Sequence, residues 1–200
     1  MNTPYDALIL VSFGGPEGPD DVMPFLENVL RGRDVPRERM LSVAEHYHQF
    51  GGVSPINQAN RRLISLLKEA LSGHEMDYPV YFGNRNWHPM LSDTLEQMKK
   101  DGIRRALAIV TSGYSSYSSC RQYKEDLEGA RRAVGEGAPE VDKLRVFFNH
   151  PGFIESMAGC AARAMEQIDQ GARAGCHLLF TAHSIPQAMA DGCAYAGQIE

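Results

Sequence analysis

The segment from Ala7 to Phe13 reads ALILVSF, a continuous run of strand length that is apolar but for Ser12 and stops at Gly14-Gly15-Pro16. A strand apolar on both of its faces is buried on both, which is how parallel sheets bury their strands. Further short apolar runs follow at Val80 to Phe82, Ala106 to Thr111, Leu144 to Phe148 and Leu178 to Thr181. Between them lie segments of helical period, at about Met90 to Lys100, Ser119 to Val134 and Gly152 to Ile168. Three more helices are expected before the second strand: one opened by Asp20 and Asp21 and stopped at Gly32, one from Pro36 to Phe50, and one from Ile56 to Leu71 after the initiating pair Ser54-Pro55. Strands separated by helices cannot pair as hairpins and must be joined by right-handed crossovers. The expected fold is therefore α/β, a doubly wound, mostly parallel sheet with helices on both faces.

With 200 residues, 43% of them hydrophobic, the chain can bury a sizeable core. Val134 to Asp142 (VGEGAPEVD), rich in glycine, proline and acid, reads as the domain boundary. A net charge of −5 argues against a nucleic-acid surface, which needs clustered Lys and Arg. No run approaches the roughly 20 apolar residues of a membrane span. The stretch from Met1 to Asp6 lacks a signal-peptide profile, so a cytoplasmic protein is expected. The cysteines Cys120, Cys160, Cys176 and Cys193 are widely spaced, without the C-x-x-C of a zinc or redox site.

Ligands of open parallel sheets bind beyond the carboxyl ends of the strands. That directs attention to the loops Ser12 to Pro16, Gly83 to Pro89, Ser112 to Cys120 and Ala182 to Pro186. Gly14-Gly15-Pro16-Glu17-Gly18 lacks the G-x-G-x-x-G spacing and carries an acid where a pyrophosphate would sit. Neither a P-loop nor a G-x-S-x-G elbow occurs. His183 stands at an expected strand end, followed by Ser184 and Pro186. A neutral imidazole there could ligate a divalent metal or accept a proton near pH 7, and it could equally cap a helix start. The hydroxyl- and aromatic-rich run from Tyr114 to Tyr123 fits either a flat apolar ligand or a serine-capped helix amino terminus. Arg31 could meet an anionic group or complement the dipole of the helix it closes.

Several separated motifs, taken in order, resemble the ferrochelatase family: Val11-Ser12-Phe13-Gly14-Gly15-Pro16, Arg31-Gly32-Arg33, Gly51-Gly52-Val53-Ser54-Pro55-Ile56-Asn57, Gly83-Asn84-Arg85-Asn86-Trp87-His88-Pro89, the Ser115 to Tyr123 segment and Thr181-Ala182-His183-Ser184-Ile185-Pro186. The similarity is collinear from Ala7 to about Pro186, and the wording is closest to the actinobacterial, coproporphyrin-type enzymes. The resemblance implies two Rossmann-like domains, 1–141 and an incomplete 142–200, holding a porphyrin in the cleft between them.

It also implies insertion of ferrous iron, as substrate, into coproporphyrin III, with protoporphyrin IX as the alternative macrocycle. By position, His183 matches the catalytic and metal-site histidine. Ser54 and Tyr123 match porphyrin contacts, and Phe13 matches the residue over the ring face, where a phenylalanine packs and cannot ligate iron. Arg31, Ser54 and Tyr123 are the expected partners of the propionates. The family pairs its histidine with a glutamate roughly eighty positions further on, about half a domain of this type, which falls past Glu200. That leaves a non-catalytic tetrapyrrole-binding fragment as an alternative. Cys120 or Cys160 could supply one ligand of the iron–sulfur cluster some relatives carry, but a cluster needs about four, and none is expected here.

Overall fold

The computed structural model describes residues 4–200. The chain divides into two compact units, one formed by residues up to Thr111 together with Tyr123–Leu144, the other by Ser112–Gln122 and Arg145–Glu200.

The first unit is built on a four-stranded parallel sheet: β1 (Ala7–Ser12), β2 (Val80–Asn84), β3 (Arg105–Val110) and β4 (Glu140–Lys143), in the order β2-β1-β3-β4. The apolar run thus forms a central strand, as a strand buried on both faces should. The helices of this unit are α1 (Val22–Val29), α2 (Arg37–Gln49), α3 (Ile56–Gly73), α4 (Leu91–Lys100) and α5 (Gln122–Val134), whose body from Tyr123 onward belongs here. The expected α/β class with a parallel sheet is what the chain adopts.

Helical period decides which face each helix covers. Leu91, Leu95 and Met98 of α4, with Tyr123, Leu127 and Ala130 of α5, pack on Ile9, Val11, Ala106, Ala108 and Val110. Each Val, Leu, Ile or Met among them stabilises the fold by about 1.5–3 kcal/mol when fully buried. Alternation along β2 places α3 on the opposite face. A Cβ on Gly83 would meet Leu91 of α4, whereas Asn84 hydrogen-bonds to Asn57 of α3. Val22, Phe25 and Leu26 of α1 and Ala44 of α2 close around Trp87 as a second cluster.

Two expected strands do not form. The last strand of the sheet is Glu140–Lys143, which overlaps the segment read as the domain boundary, and not Leu144 to Phe148. Its register sets Glu140 opposite Arg105, so by Lys143 it has reached Ala108 and little of β3 is left to pair with. Leu178 to Thr181 also lies outside regular structure, and Leu178, Leu179 and Phe180 are exposed. A parallel strand needs a hydrogen-bonded neighbour, and the described residues of the second unit contain no strand. That unit comprises a π-helical turn (Tyr117–Arg121), α6 (Pro151–Glu166) and the short helices α7 (Gln170–Arg173), α8 (Gln187–Asp191) and α9 (Tyr195–Ile199). Among the described residues, no helix is long and apolar enough to cross a membrane.

Candidate functional site

In the first unit, the carboxyl ends of β1 and β2 feed two loops that are joined to the start of α3. Gly14 has a φ of +83°, and a Cβ there would stand 2.9 Å from Asn84 Cβ, so only glycine fits both the backbone and the space. A Cβ on Gly15 would lie 2.6 Å from Ser54 Cβ. Ser54 N–H donates to the Pro16 carbonyl at 2.8 Å, and Glu17 bridges Val53. Arg61 of α3 pairs with Glu17, whose carboxyl is held below the usual glutamate range chiefly by that hydrogen bond. The glycine-rich segment is therefore a welded corner and not a phosphate cradle.

The corner presents one aromatic face. Phe13 is 38% exposed, and its other side meets Phe25 edge-on at 6.2 Å. Phe25 in turn contacts Tyr47 at 5.9 Å and Trp87 at 6.3 Å, both edge-on. Trp87 Nε1 donates to Asp21. A flat apolar ligand would find in Phe13 a ring backed by Phe25, which Tyr47 and Trp87 support in turn. Ser54 is half-buried beside this corner, and its Oγ accepts from Ile56 N–H at 3.4 Å.

A second feature lies one residue beyond β2. Arg85, whose side chain is only 8% exposed, donates from Nε to Asp126 of α5 and stacks its guanidinium 3.7 Å from the Tyr123 ring centroid. Burial pushes the Asp126 carboxyl up, against the pull of Arg85. Burial likewise raises the Tyr123 phenol, which is 5% exposed. Arg85 N–H donates to the Ser12 carbonyl, so this assembly is tied to the Phe13 corner. Arg31, exposed after the end of α1, joins it from the other side. Its Nη2 donates to Asn28, Asn28 donates to the Asn86 carbonyl at 3.3 Å, and Asn86 donates to the Phe13 carbonyl at 3.2 Å. Hydrogen bonds thus connect Phe13, Ser54 and Arg31, and Tyr123 joins them through the stacked Arg85.

His183 belongs to the second unit. It is exposed, outside regular structure, and its carbonyl accepts from Tyr195 Oη at 3.0 Å. The expected strand end that was to present it is absent. Within the same unit, Ser116 Oγ accepts from Ser119 N–H at 3.1 Å and Ser119 Oγ from Ser116 N–H at 2.6 Å. This reciprocal cap realises the helix-start reading of the serine run. The unit also contains a cavity of about 750 Å³ lined by Tyr117, Cys120, Arg121, Met189 and Cys193 among others. Among the described residues, no group of three or more His, Cys, Asp or Glu stands together as a metal centre.

Sequence reasoning placed no role on Arg85, Asp126 or the asparagines of the corner. Arg85 lies inside a quoted motif, but its ion pair with a helix 41 residues away is a tertiary fact.

The chain matches the family model described as Ferrochelatase over residues 5–200. It is 60% identical over 196 residues to a protein of Rhodopirellula baltica named Ferrochelatase, covering 98% of this chain and 56% of that relative. It is 54% identical over 193 residues to the Coproporphyrin III ferrochelatase of Streptomyces coelicolor, covering 95% and 52%. To the protein of the same name from Nocardia farcinica it is 55% identical over 183 residues, covering 92% and 52%. The chain therefore spans about half the length of the curated relatives it matches.

Proposed function

Because the chain belongs to the ferrochelatase family, we propose that it lays one face of a porphyrin on Phe13 and takes part in inserting ferrous iron into that macrocycle in haem biosynthesis. The observation that carries this reading is the exposed Phe13 ring, backed by Phe25, itself packed against Tyr47 and Trp87, on a corner whose glycines leave no room for side chains. The relatives named for coproporphyrin III favour that macrocycle over protoporphyrin IX. Its anionic propionates would be met by Arg31, Ser54 and Tyr123, each charge-assisted contact contributing about 1.5–3 kcal/mol.

Insertion removes two pyrrole protons and strips water from the metal, and a planar ring hides its nitrogens from a solvated ion. A rigid aromatic wall favours a bent macrocycle, with the strain drawn from binding elsewhere on the ring. His183 accepts one pyrrole proton and the second passes to water, with delivery of iron as the histidine's second possible task; one nitrogen cannot do both at once. The setting of the reaction would be the cytoplasm.

The test is a single-turnover absorbance experiment on the whole chain, adding ferrous iron without oxygen to chain preloaded with coproporphyrin III. Conversion of the free-base bands to a metalloporphyrin spectrum supports insertion. Bands that shift on binding and never convert leave a tetrapyrrole-binding fragment, and no shift at all removes both readings.

A further inference from the structure

We infer that three buried asparagines, Asn57, Asn84 and Asn86, are positioning residues that set Phe13 and Ser54 in fixed relation to one another. The inference rests on the porphyrin-binding reading above and assigns that site a further set of determinants.

The loop from Phe13 to Pro16 leaves the sheet at its carboxyl edge, and its carbonyls there lack a strand partner. Side-chain amides supply the missing donors. Asn57 Nδ2 donates to the Gly15 carbonyl at 3.3 Å and to the His88 carbonyl at 3.2 Å. Asn84 Nδ2 donates to the same His88 carbonyl at 3.0 Å and to Asn57 Oδ1 at 3.1 Å. Asn86 donates twice to the Phe13 carbonyl, from its backbone at 3.1 Å and from Nδ2 at 3.2 Å. Asn57 and Asn84 are fully buried, and Asn86 is 7% exposed.

The partners fix the orientation of every amide. The Nδ2 groups face carbonyl oxygens, which only a donor can meet, and Asn57 Oδ1 faces a donor. An aspartate of nearly the same shape would set oxygen against oxygen. The arrangement joins three chain segments: the residue that carries the exposed ring, the loop after β2, and the first turn of α3 directly after Ser54. Stability alone does not account for it. Among the described residues Asn84 Oδ1 and the neighbouring buried amide Asn60 Nδ2 have no protein partner, and a packed apolar corner would carry no such groups. Such groups are explained where geometry matters more than stability, as at a surface that must keep a ring plane and a hydroxyl in register.

The experiment compares the parent chain with Asn57→Asp and Asn86→Ala, using metal-free coproporphyrin III as the probe. Circular dichroism and cooperative unfolding first establish that each variant is folded. Asn86→Ala keeps the backbone N–H that donates to Phe13, so its binding carries the test even where Asn57→Asp does not fold. The expected result is a dissociation constant raised by roughly tenfold, the loss of about one hydrogen bond's worth of positioning, with a Soret band displaced from its position on the parent. A purely structural role would lower the unfolding midpoint and leave the band of the bound porphyrin unmoved. Folded variants that bind with the parent's affinity and band position overturn the inference and leave the porphyrin reading standing. A parent chain that binds no porphyrin overturns both.

Discussion

The Arg85 guanidinium lies 3.7 Å from the centroid of the Tyr123 ring while its Nε donates to Asp126. One buried cation therefore fixes a ring and a carboxylate of α5 against the loop that follows β2. Arg85→Ala would strip Asp126 of its partner in a half-buried place and remove the plate over Tyr123. The expected loss is about 2–3 kcal/mol, at or just below the cost of breaking a fully buried pair because the Asp126 side chain is 27% exposed. It is read as a lower urea midpoint at unchanged slope. Arg85→Lys should restore little of it, since an ammonium neither stacks nor presents the planar fork. An unchanged midpoint would remove the pair from the account of this corner.

At Gly14 the backbone and the neighbours both exclude a side chain, with φ at +83° and Asn84 Cβ 2.9 Å from the position of any added Cβ. Gly14→Ala should cost about 1–3 kcal/mol and weaken porphyrin binding as well. Gly18 has extended backbone and nothing within 4 Å of its Cβ position. Gly18→Ala should lie within about 0.5 kcal/mol of the parent. Thermal unfolding of the two variants side by side checks the contrast.

Asp6 accepts from the backbone N–H groups of Arg104 and Arg105 at 2.9 and 3.0 Å, and the first of these bonds is the main reason its carboxyl titrates below the usual aspartate range. The unfolded chain then binds this proton more readily than the folded one. The stabilising contribution is complete above the unfolded aspartate pKa and disappears as pH falls through the lowered folded value. Denaturation series at falling pH should show Asp6→Asn losing less stability than the parent between about pH 5 and pH 2. Parallel curves would contradict this.

His183 is exposed and makes only a backbone contact among the bonds described, so His183→Ala should leave the unfolding midpoint within about 0.5 kcal/mol of the parent. Porphyrin binding should persist while iron insertion slows and its pH profile changes. A pH profile of insertion identical in parent and variant would remove the proton-accepting role.

The central strand was legible from Ala7 to Phe13 because burial on both faces leaves a run apolar but for Ser12, and the structure ends it at Ser12. Helices α4 and α5 were legible from apolar spacings of three and four, Leu91, Leu95, Met98 and Tyr123, Leu127, Ala130. Strand β4 was not. EVDK is an edge strand with a single apolar residue, Val141, and its place is set by pairing with β3, which leaves no local signature. The neighbouring LRVFF carries the β-propensity and forms no strand, because propensity does not supply a partner. In the site, the aromatic Phe13 and the glycines beside it were readable. The asparagines beneath them were not, since asparagine is usually exposed and only tertiary contacts reveal Asn57 and Asn84 as fully buried.

The most direct measurement is a coproporphyrin III titration followed through the emission of Trp87, the single tryptophan, which is separated from Phe13 by the Phe25 ring in the aromatic wall. The parent chain should show saturable quenching, and Phe13→Ala should weaken it by roughly tenfold to a hundredfold, the equivalent of losing one buried aromatic contact. Equal affinity in parent and Phe13→Ala, or no quenching in either, would contradict a porphyrin seated on that ring.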